Sequence, residues 1–365
     1  MKILRGLQAL SDDPPRRPVC TIGFFDGFHR GHASLMNDLL RWSEELAGTS
    51  TVITFSTHPK QVVLGSAPAV LTPLERRLEL IEAMGIDTVL VLPFDEQFSR
   101  ISPEQFIREV LVGALATQHL LMGFDSAFGQ GAKGTAQYLQ QIPDLPLEVR
   151  LSPPLMMEGE AVSSSVVRST LQEGDLTRAQ RLLGRPFSLR GEVIVGDQRG
   201  ASIGFPTANL DPGPVLVPPV GGYLGSVILG TPIPGTSIPG TSIPGTSIPG
   251  TSIPGTSKSP GEVVASDNES NSWPAAINIG RRPTFGTPEA PEGTPFDPQL
   301  DRLEAHLDGF EGDLYGQIIT VELHRRLRGE RRFESLDALR RQIVRDVESL
   351  RDWWQVRGAD GATEL

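Results

Sequence analysis

Thr21-Ile22-Gly23-Phe24-Phe25-Asp26-Gly27-Phe28-His29-Arg30-Gly31-His32 stands where a short apolar run gives way to a segment with helical spacing. A strand that ends in a glycine-bearing turn and resumes as a helix opens a βα unit. Working outward, the same alternation recurs. Apolar or β-branched runs at 19–22, 51–55, 88–92 and 119–122 predict strands, and stretches at 31–46, 73–84 and 103–115 predict helices, the last two opened by proline. The rhythm predicts an α/β domain built on a doubly wound parallel sheet over residues 1–185.

After Arg185 and Pro186 the pattern becomes strands without intervening helices, at 189–195, 223–229, 275–279, 303–307 and 317–327. That predicts a second domain, 186–365, formed by a small antiparallel β-barrel. Ser335 reads as the N-cap of a C-terminal helix whose Leu336, Leu339, Ile343 and Val347 share one face, set to pack on the barrel. Between two barrel strands, Ile-Pro-Gly-Thr-Ser repeats without variation over 233–257. Proline removes a backbone donor in every unit and one isoleucine per unit gives little burial, so the insert at 231–272 is expected to be a disordered loop.

A chain of 365 residues with 38% hydrophobic content predicts two cores of unequal size, each able to fold unaided. The charged residues at 1–5 are not followed by the apolar stretch of a signal peptide, and no run approaches the ~18 apolar residues of a membrane span. Cys20 is the sole cysteine, which excludes a disulfide within the chain. A cytoplasmic protein without a membrane or nucleic-acid partner is expected, since a net charge of -11 disfavours coating a polyanion. Small anions remain open, because helix termini and a few basic side chains can grip them inside an acidic protein.

Four segments carry candidate chemistry. His29 and His32, three residues apart, project from one side of an opening helical turn, where unpaired amides and imidazole donors favour a polyphosphate. The small residues around them, Gly23 and Gly31 included, let the backbone approach phosphate. A two-ligand metal site, lacking nearby acidic or cysteine partners, and a pair of plain surface histidines are the alternatives. Ser163 and Ser164 suit an N-cap, and Arg168 one turn on could reach phosphate oxygens; alone they read equally as a capped helix with a surface arginine. Gly196, Gly200 and Gly204 crowd a loop ended by Pro206, followed by Thr207 and Asn209, whose oxygens fall on one side of an extended strand and could hold magnesium. A β-bulge turn is the other reading of that loop. Glu304, on a strand among apolar neighbours, is either an outward charge or a catalytic group.

Taken together, these segments resemble the bifunctional riboflavin kinase/FAD synthetase family. The 21–32 segment resembles its nucleotidylyltransferase signature. Thr54-Phe55 with His58-Pro59, Gly123-Phe124-Asp125-Ser126-Ala127-Phe128-Gly129 and Val162-Ser163-Ser164-Ser165-Val166-Val167-Arg168 follow in family order. Gly204-Phe205-Pro206-Thr207-Ala208-Asn209, 278–285, 303–307 and 313–316 resemble the riboflavin kinase half. Where the family often has an aromatic and a basic residue, this chain has Ser126 and Ala127. The resemblance implies ATP-dependent phosphorylation of riboflavin to FMN and adenylylation of FMN to FAD, with Mg2+. It implies ATP contacts at Gly23, Phe25, Asp26, Gly31, Ser163, Ser164, Arg168, Gly196, Gly200 and Gly204, and catalytic roles for His29, His32 and Glu304. Flavin contacts fall to Asp125, Phe128 and Arg282, and metal ligation to Thr207 and Asn209. Asp125 reads equally well as a turn or cap residue. Rival expectations are a chain retaining one activity, another transferase of the His-x-Gly-His class, and a flavin or nucleotide sensor without turnover.

Overall fold

The computed structural model describes residues 1–12, 14–196, 200, 204–230, 271–281, 296–297, 301–331 and 333–360. The first half contains strands β1 (Lys2–Arg5), β2 (Pro18–Ile22), β3 (Thr49–Phe55), β4 (Thr88–Leu92), β5 (His119–Gly123) and β6 (Glu148–Ser152). They form one parallel six-stranded sheet in the order β1-β4-β3-β2-β5-β6. The helices of this half begin with α1 (Ala9–Asp12), α2 (Arg30–Glu45), α3 (Pro59–Leu64) and α4 (Leu74–Ala83). All residues of β2 and of β4 are buried, as expected of central strands covered on both faces.

Alternate strand residues feed opposite layers. Val19, Val52, Val89 and Leu121 face Leu35, Met36 and Leu39 of α2 and Leu78 and Ile81 of α4. Cys20, Ile53, Leu90 and Leu120 face the other way, toward Phe106, Ile107, Val110 and Leu111. Those four belong to a segment read from sequence as one α-helix over 103–115. It is instead a short α-turn, α6 (Pro103–Gln105), after α5 (Glu96–Ser99), running into a π-helix, Phe106–Ala114. The Leu115 N–H reaches back to the Val110 carbonyl, and this wider turn crowds apolar residues that a 3.6-residue period would spread.

The strand order reverses around β2, which pairs with β3 on one side and β5 on the other. The carboxyl ends of β2 and β5 therefore flank the crevice where open α/β sheets bind ligands. Beyond α7 (Ala136–Leu139) and a small hairpin, β7 (Met156–Met157) and β8 (Glu160–Ala161), come α8 (Ser164–Gln172) and α9 (Leu176–Leu183).

The second half is a closed antiparallel barrel of β9 (Phe187–Ile194), β10 (Ala208–Asp211), β11 (Gly221–Leu229), β12 (Ser272–Arg281), β13 (Asp301–Leu307) and β14 (Ile318–Arg328). The C-terminal helix α10 (Leu336–Asp360) packs on β12 and β11. Ser335 caps it as expected, its Oγ accepting from the Ala338 N–H at 3.2 Å. Val347 and Leu350 are buried, and Arg328 ties the helix to the barrel through Asp346 at 2.8 Å.

The barrel does not keep a core to itself. Val167, Leu171, Leu176, Ala179, Leu182 and Leu183 of α8 and α9 belong to the same apolar cluster as Phe187, Leu189, Leu303, Ala305 and Leu323 of the barrel. Polar links cross as well: the Leu216 N–H donates to the Val70 carbonyl at 2.8 Å, and Arg190 of β9 pairs with Glu79 of α4 at 2.5 Å.

The repeat tract lies outside the described residues, but its flanks are paired. Ile228 stands opposite Ser272, and the Leu229 N–H donates to Asn271 at 2.9 Å, so β11 and β12 form a closed hairpin whatever lies between. Deleting 233–257 should leave the FMN and FAD formation that the resemblance implies within about twofold of the full chain. A deletion variant with intact circular dichroism but no FMN formation would contradict this.

Candidate active sites

At the end of β2 the backbone turns sharply. Phe25, Gly27 and Phe28 have positive φ, 57°, 78° and 39°. A Cβ on Gly23 would lie 2.8 Å from the Phe25 ring, so only glycine fits that approach. His29 is the N-cap of α2, and its Nδ1 accepts the His32 N–H at 3.3 Å. That bond fixes the tautomer: the proton of neutral His29 sits on Nε2, leaving a donor at the helix start. The His29 and His32 rings stack with centroids 3.7 Å apart. A Cβ on Gly31 would meet the Val162 carbonyl at 3.0 Å, so the helix start lies directly against the segment leading into α8. The histidine pair and the serine-rich helix, far apart in sequence, thus share one site.

Asp26 joins them. Its carboxylate is 4% exposed; Oδ1 accepts from the Leu71 and Thr72 N–H groups at 2.8 and 3.1 Å, and Oδ2 from Arg168 at 2.7 Å. Burial raises the Asp26 pKa, and these donors work against that rise. Both oxygens thus have donors within the protein, and the carboxylate fixes the direction of the Arg168 guanidinium. Arg168 also reaches Ala69 and Ser164 carbonyls, but only at 3.4 Å, which leaves Nε and Nη1 loosely held. Ser163 caps α8 by accepting from the Val166 N–H at 3.3 Å, and Ser164 Oγ donates to the Asp26 carbonyl at 2.9 Å.

Two arginines overlooked in the sequence complete the surroundings. Arg77 of α4, 2% exposed, donates to the Phe24 carbonyl, to Thr54 Oγ1 at 3.3 Å and to the Phe55 carbonyl at 3.1 Å, with its guanidinium 4.0 Å above the Phe24 ring. Arg185 donates to the Gly27 and Phe28 carbonyls at 2.7 and 2.8 Å. Burial pushes both guanidinium pKa values down to about 10. A buried arginine is rare enough that position in a helical pattern gives no warning of it. Burial, then the charge of Arg185, lowers the His29 pKa to about 4, and burial with His29, Arg185 and Arg77 drives His32 well below its usual range. Both imidazoles are neutral near pH 7. At the neighbouring β5 end, Asp125 is exposed beside Phe124, whereas Phe128 is buried with its ring 5.1 Å from Phe106.

The second site lies on the barrel. Along β13, Leu303, Ala305 and Leu307 point into the core while Arg302, Glu304 and His306 share the other face. Asn209 of β10 is the direct cross-strand partner of Glu304, and Asn278 of β12 flanks it on the opposite side. Such partners have Cβ atoms about 5 Å apart. His306 Nδ1 lies 2.8 Å from the Pro206 carbonyl, holding the chain that leads into Thr207. A Cβ on Gly196 would fall 2.5 Å from Asn209 Oδ1, and one on Gly200 would fall 2.3 Å from the Phe205 carbonyl and 3.3 Å from Thr207 Oγ1. The backbone at Gly196 and at Gly200 therefore lies close against the two hard oxygen donors, a set suited to a cation such as magnesium that keeps several waters or phosphate oxygens. Gly204, at φ 88°, makes the turn before Phe205. Arg282 lies outside the described residues. Asn278 and His306 were absent from the sequence-based set, although alternation with Glu304 along β13 was a signal for His306.

An α/β sheet with an anion cradle at its switch point, joined to a barrel carrying a carboxylate beside oxygen donors, defines a two-site transferase that uses a nucleoside triphosphate. The model of the FAD synthetase family matches residues 11–166, and that of the riboflavin kinase family matches 183–354. Curated relatives include bifunctional riboflavin kinase/FMN adenylyltransferases of Pseudomonas fluorescens, 33% identical over 96% of this chain and 97% of the relative, and of Escherichia coli K12, 32% identical over 97% and 98%. The Bacillus subtilis relative is 32% identical over 91% of each chain. A solved structure described as a macrolide-efflux protein from Streptococcus pneumoniae superposes with a TM-score of 0.72, at 24% identity over 97% of this chain and 100% of that one, and shows the shared fold. The chain belongs to the bifunctional riboflavin kinase/FMN adenylyltransferase family.

The histidine pair sets a pH dependence. Because the folded-state pKa of His29 lies below its ordinary value, the unfolded chain takes up protons that the folded chain refuses as pH falls from about 6.5 toward 4. Stability owed to the pair is present above that window and lost within it. The thermal midpoint should hold from pH 8 to about 6.5 and then fall, and His29→Asn, which keeps a capping oxygen but cannot titrate, should show a smaller fall.

Proposed function

We propose that this enzyme, with riboflavin kinase and FMN adenylyltransferase activities, runs the two steps at separate places: phosphorylation of riboflavin on the barrel, and adenylylation of FMN at the switch point of the sheet. The supporting observation is that polar residues scattered along the chain converge as two distinct clusters. His29, His32, Ser163, Ser164 and Arg168 form one, and Thr207, Asn209 and Glu304 the other. A division at 185/186 gives each half one reaction, with the enzyme working in the cytoplasm on small molecules and without nucleic acid. Among the described residues, no helix is long and apolar enough to cross a membrane.

In adenylyl transfer, an FMN phosphate oxygen attacks the α-phosphorus of ATP in line. The new P–O bond forms as the bond to pyrophosphate breaks, with no covalent enzyme intermediate. Neutral His29 donates from Nε2 and His32 from its ring to the triphosphate as charge shifts to the leaving group, while Arg168 and the α8 start, with Ser163 and Ser164, hold its far end. Gly23 and Gly31 bring backbone close to it; Phe25 and Asp26 shape the loop. Asp125 meets the flavin, with Phe128 supporting that loop from the core.

In the kinase step, Glu304 accepts the proton of the terminal ribityl hydroxyl as that oxygen bonds to the γ-phosphorus and the bond to ADP breaks. Gly196, Gly200 and Gly204 bring backbone over the phosphates, and Arg282 joins the flavin contacts. Thr207 and Asn209 would hold Mg2+, which when bound neutralises phosphate charge.

The two reactions should separate by mutation. Glu304→Gln should lower FMN formation roughly 100-fold or more while FAD formation from supplied FMN stays within twofold. His29→Ala should do the reverse, lowering FAD formation roughly 100-fold and sparing FMN formation. Chromatographic product analysis with riboflavin or FMN as substrate reads both. Equal loss of the two products in either variant would reject the assignment.

A further inference from the structure

Arg185 follows Gly184, the left-handed C-cap of α9, and precedes Pro186 and the first barrel strand. Its side chain turns back across the junction. Nη2 donates to the Gly27 carbonyl at 2.7 Å and Nη1 to the Phe28 carbonyl at 2.8 Å, with Leu183 a weaker partner at 3.4 Å. These carbonyls belong to the turn in which Phe28 holds a φ of 39°, a strained conformation for a bulky residue that persists only where neighbours enforce it. The next residue is His29, whose Nδ1 caps α2 and whose Nε2 carries the donor proton.

Charges from both halves bear on this buried arginine: first the like charge of Arg76 on α4, then Glu322 of β14 in the barrel. That carboxylate accepts from Ser226 Oγ of β11 at 3.0 Å and lies 3.4 Å from His324. On the other side the guanidinium charge bears on His29 and His32, with Arg77 a second cation acting on His32. A planar fork with two parallel donors suits a pair of adjacent carbonyls in a way an ammonium cannot reproduce.

We propose that Arg185 is a positioning residue for adenylyl transfer: standing at the junction where α9 gives way to the barrel, it clamps the Gly27 and Phe28 carbonyls and so aims the Nε2 donor of His29. The proposal rests on the role given above to His29. It makes FAD formation depend on how the barrel is seated, although the barrel contributes no chemistry to that step.

The test compares full-length Arg185→Gln, Arg185→Lys and His29→Ala with the unaltered chain, measuring FMN and FAD formation separately. Arg185→Gln should lower kcat for FAD formation at least tenfold with KM for ATP within threefold, and leave FMN formation within twofold. Arg185→Lys, which keeps the charge but not the fork, should fall between. In Arg185→Gln the acid limb of the FAD-formation pH profile should also move to higher pH, because a cation facing His29 and His32 is gone while Arg77 and the Asp26–Arg168 pair remain. Unchanged kcat in Arg185→Gln, a rise in ATP KM alone, or a parallel loss of FMN formation overturns the proposal. If His29→Ala keeps full FAD formation, the histidine reading fails and this inference with it; loss in His29→Ala beside unchanged Arg185 variants rejects the clamp alone.

Discussion

The buried carboxylate of Asp26 is the constraint on which the first site depends. It gathers the turn after β2, the backbone at Leu71 and Thr72, and Arg168 of α8 around two oxygen atoms. An ion pair so placed is expensive to half-remove, since the partner left behind is a buried charge worth about 3–5 kcal/mol of destabilisation. The same arrangement sets the chemistry. With one arginine donor committed to Asp26 and two held only at 3.4 Å, the guanidinium is aimed and still able to accept an anion. The negative charge of Asp26 is itself balanced from within the protein.

The second organising fact is the shared apolar cluster. Helices α8 and α9 follow the sheet in sequence but bury Leu171, Leu176 and Leu182 with barrel residues. The first site is therefore composite: histidines come from the sheet layer, the serine cap and Arg168 from a layer packed on the barrel. The 71–72 backbone held by Asp26 adjoins Val70, which bonds to Leu216 of the barrel half. Small displacements at the junction act on both sides of the anion cradle. The cluster proposed for the kinase step has no matching dependence, because Asn209, Asn278 and Glu304 are neighbours within one ladder.

Much of this was legible in the sequence, for physical reasons that also explain what was not. Strands β2 and β4 are buried on both faces and so read as unbroken apolar runs. The edge strands β1 and β6, Lys-Ile-Leu-Arg and Glu-Val-Arg-Leu-Ser, alternate with charge and were passed over, and β10 is too short for a pattern. Caps at Ser163 and Ser335 were readable because capping is local. The His29–His32 spacing was local too. The task of Asp26 was hidden because its partners lie 45 and 142 residues away. Arg77 and Arg185 drew no reading from the sequence, since local spacing cannot reveal a guanidinium turned inward onto distant carbonyls. Two apolar layers stay within the sheet half, but the barrel core takes in α8 and α9 across the junction, a matter of tertiary contact that periodicity does not encode.

That cluster bears on how the chain matures as it leaves the ribosome. The sheet half emerges first, carrying α8 and α9 with apolar faces whose partners on β9, β13 and β14 are still unsynthesised. At about 5–20 residues per second, completing the barrel takes on the order of ten to thirty seconds. Through that interval the nascent chain exposes leucines that the finished fold buries, the kind of surface through which incompletely folded chains associate. The helix that carries Arg168 gains its full packing only when β14, the last strand, closes the barrel.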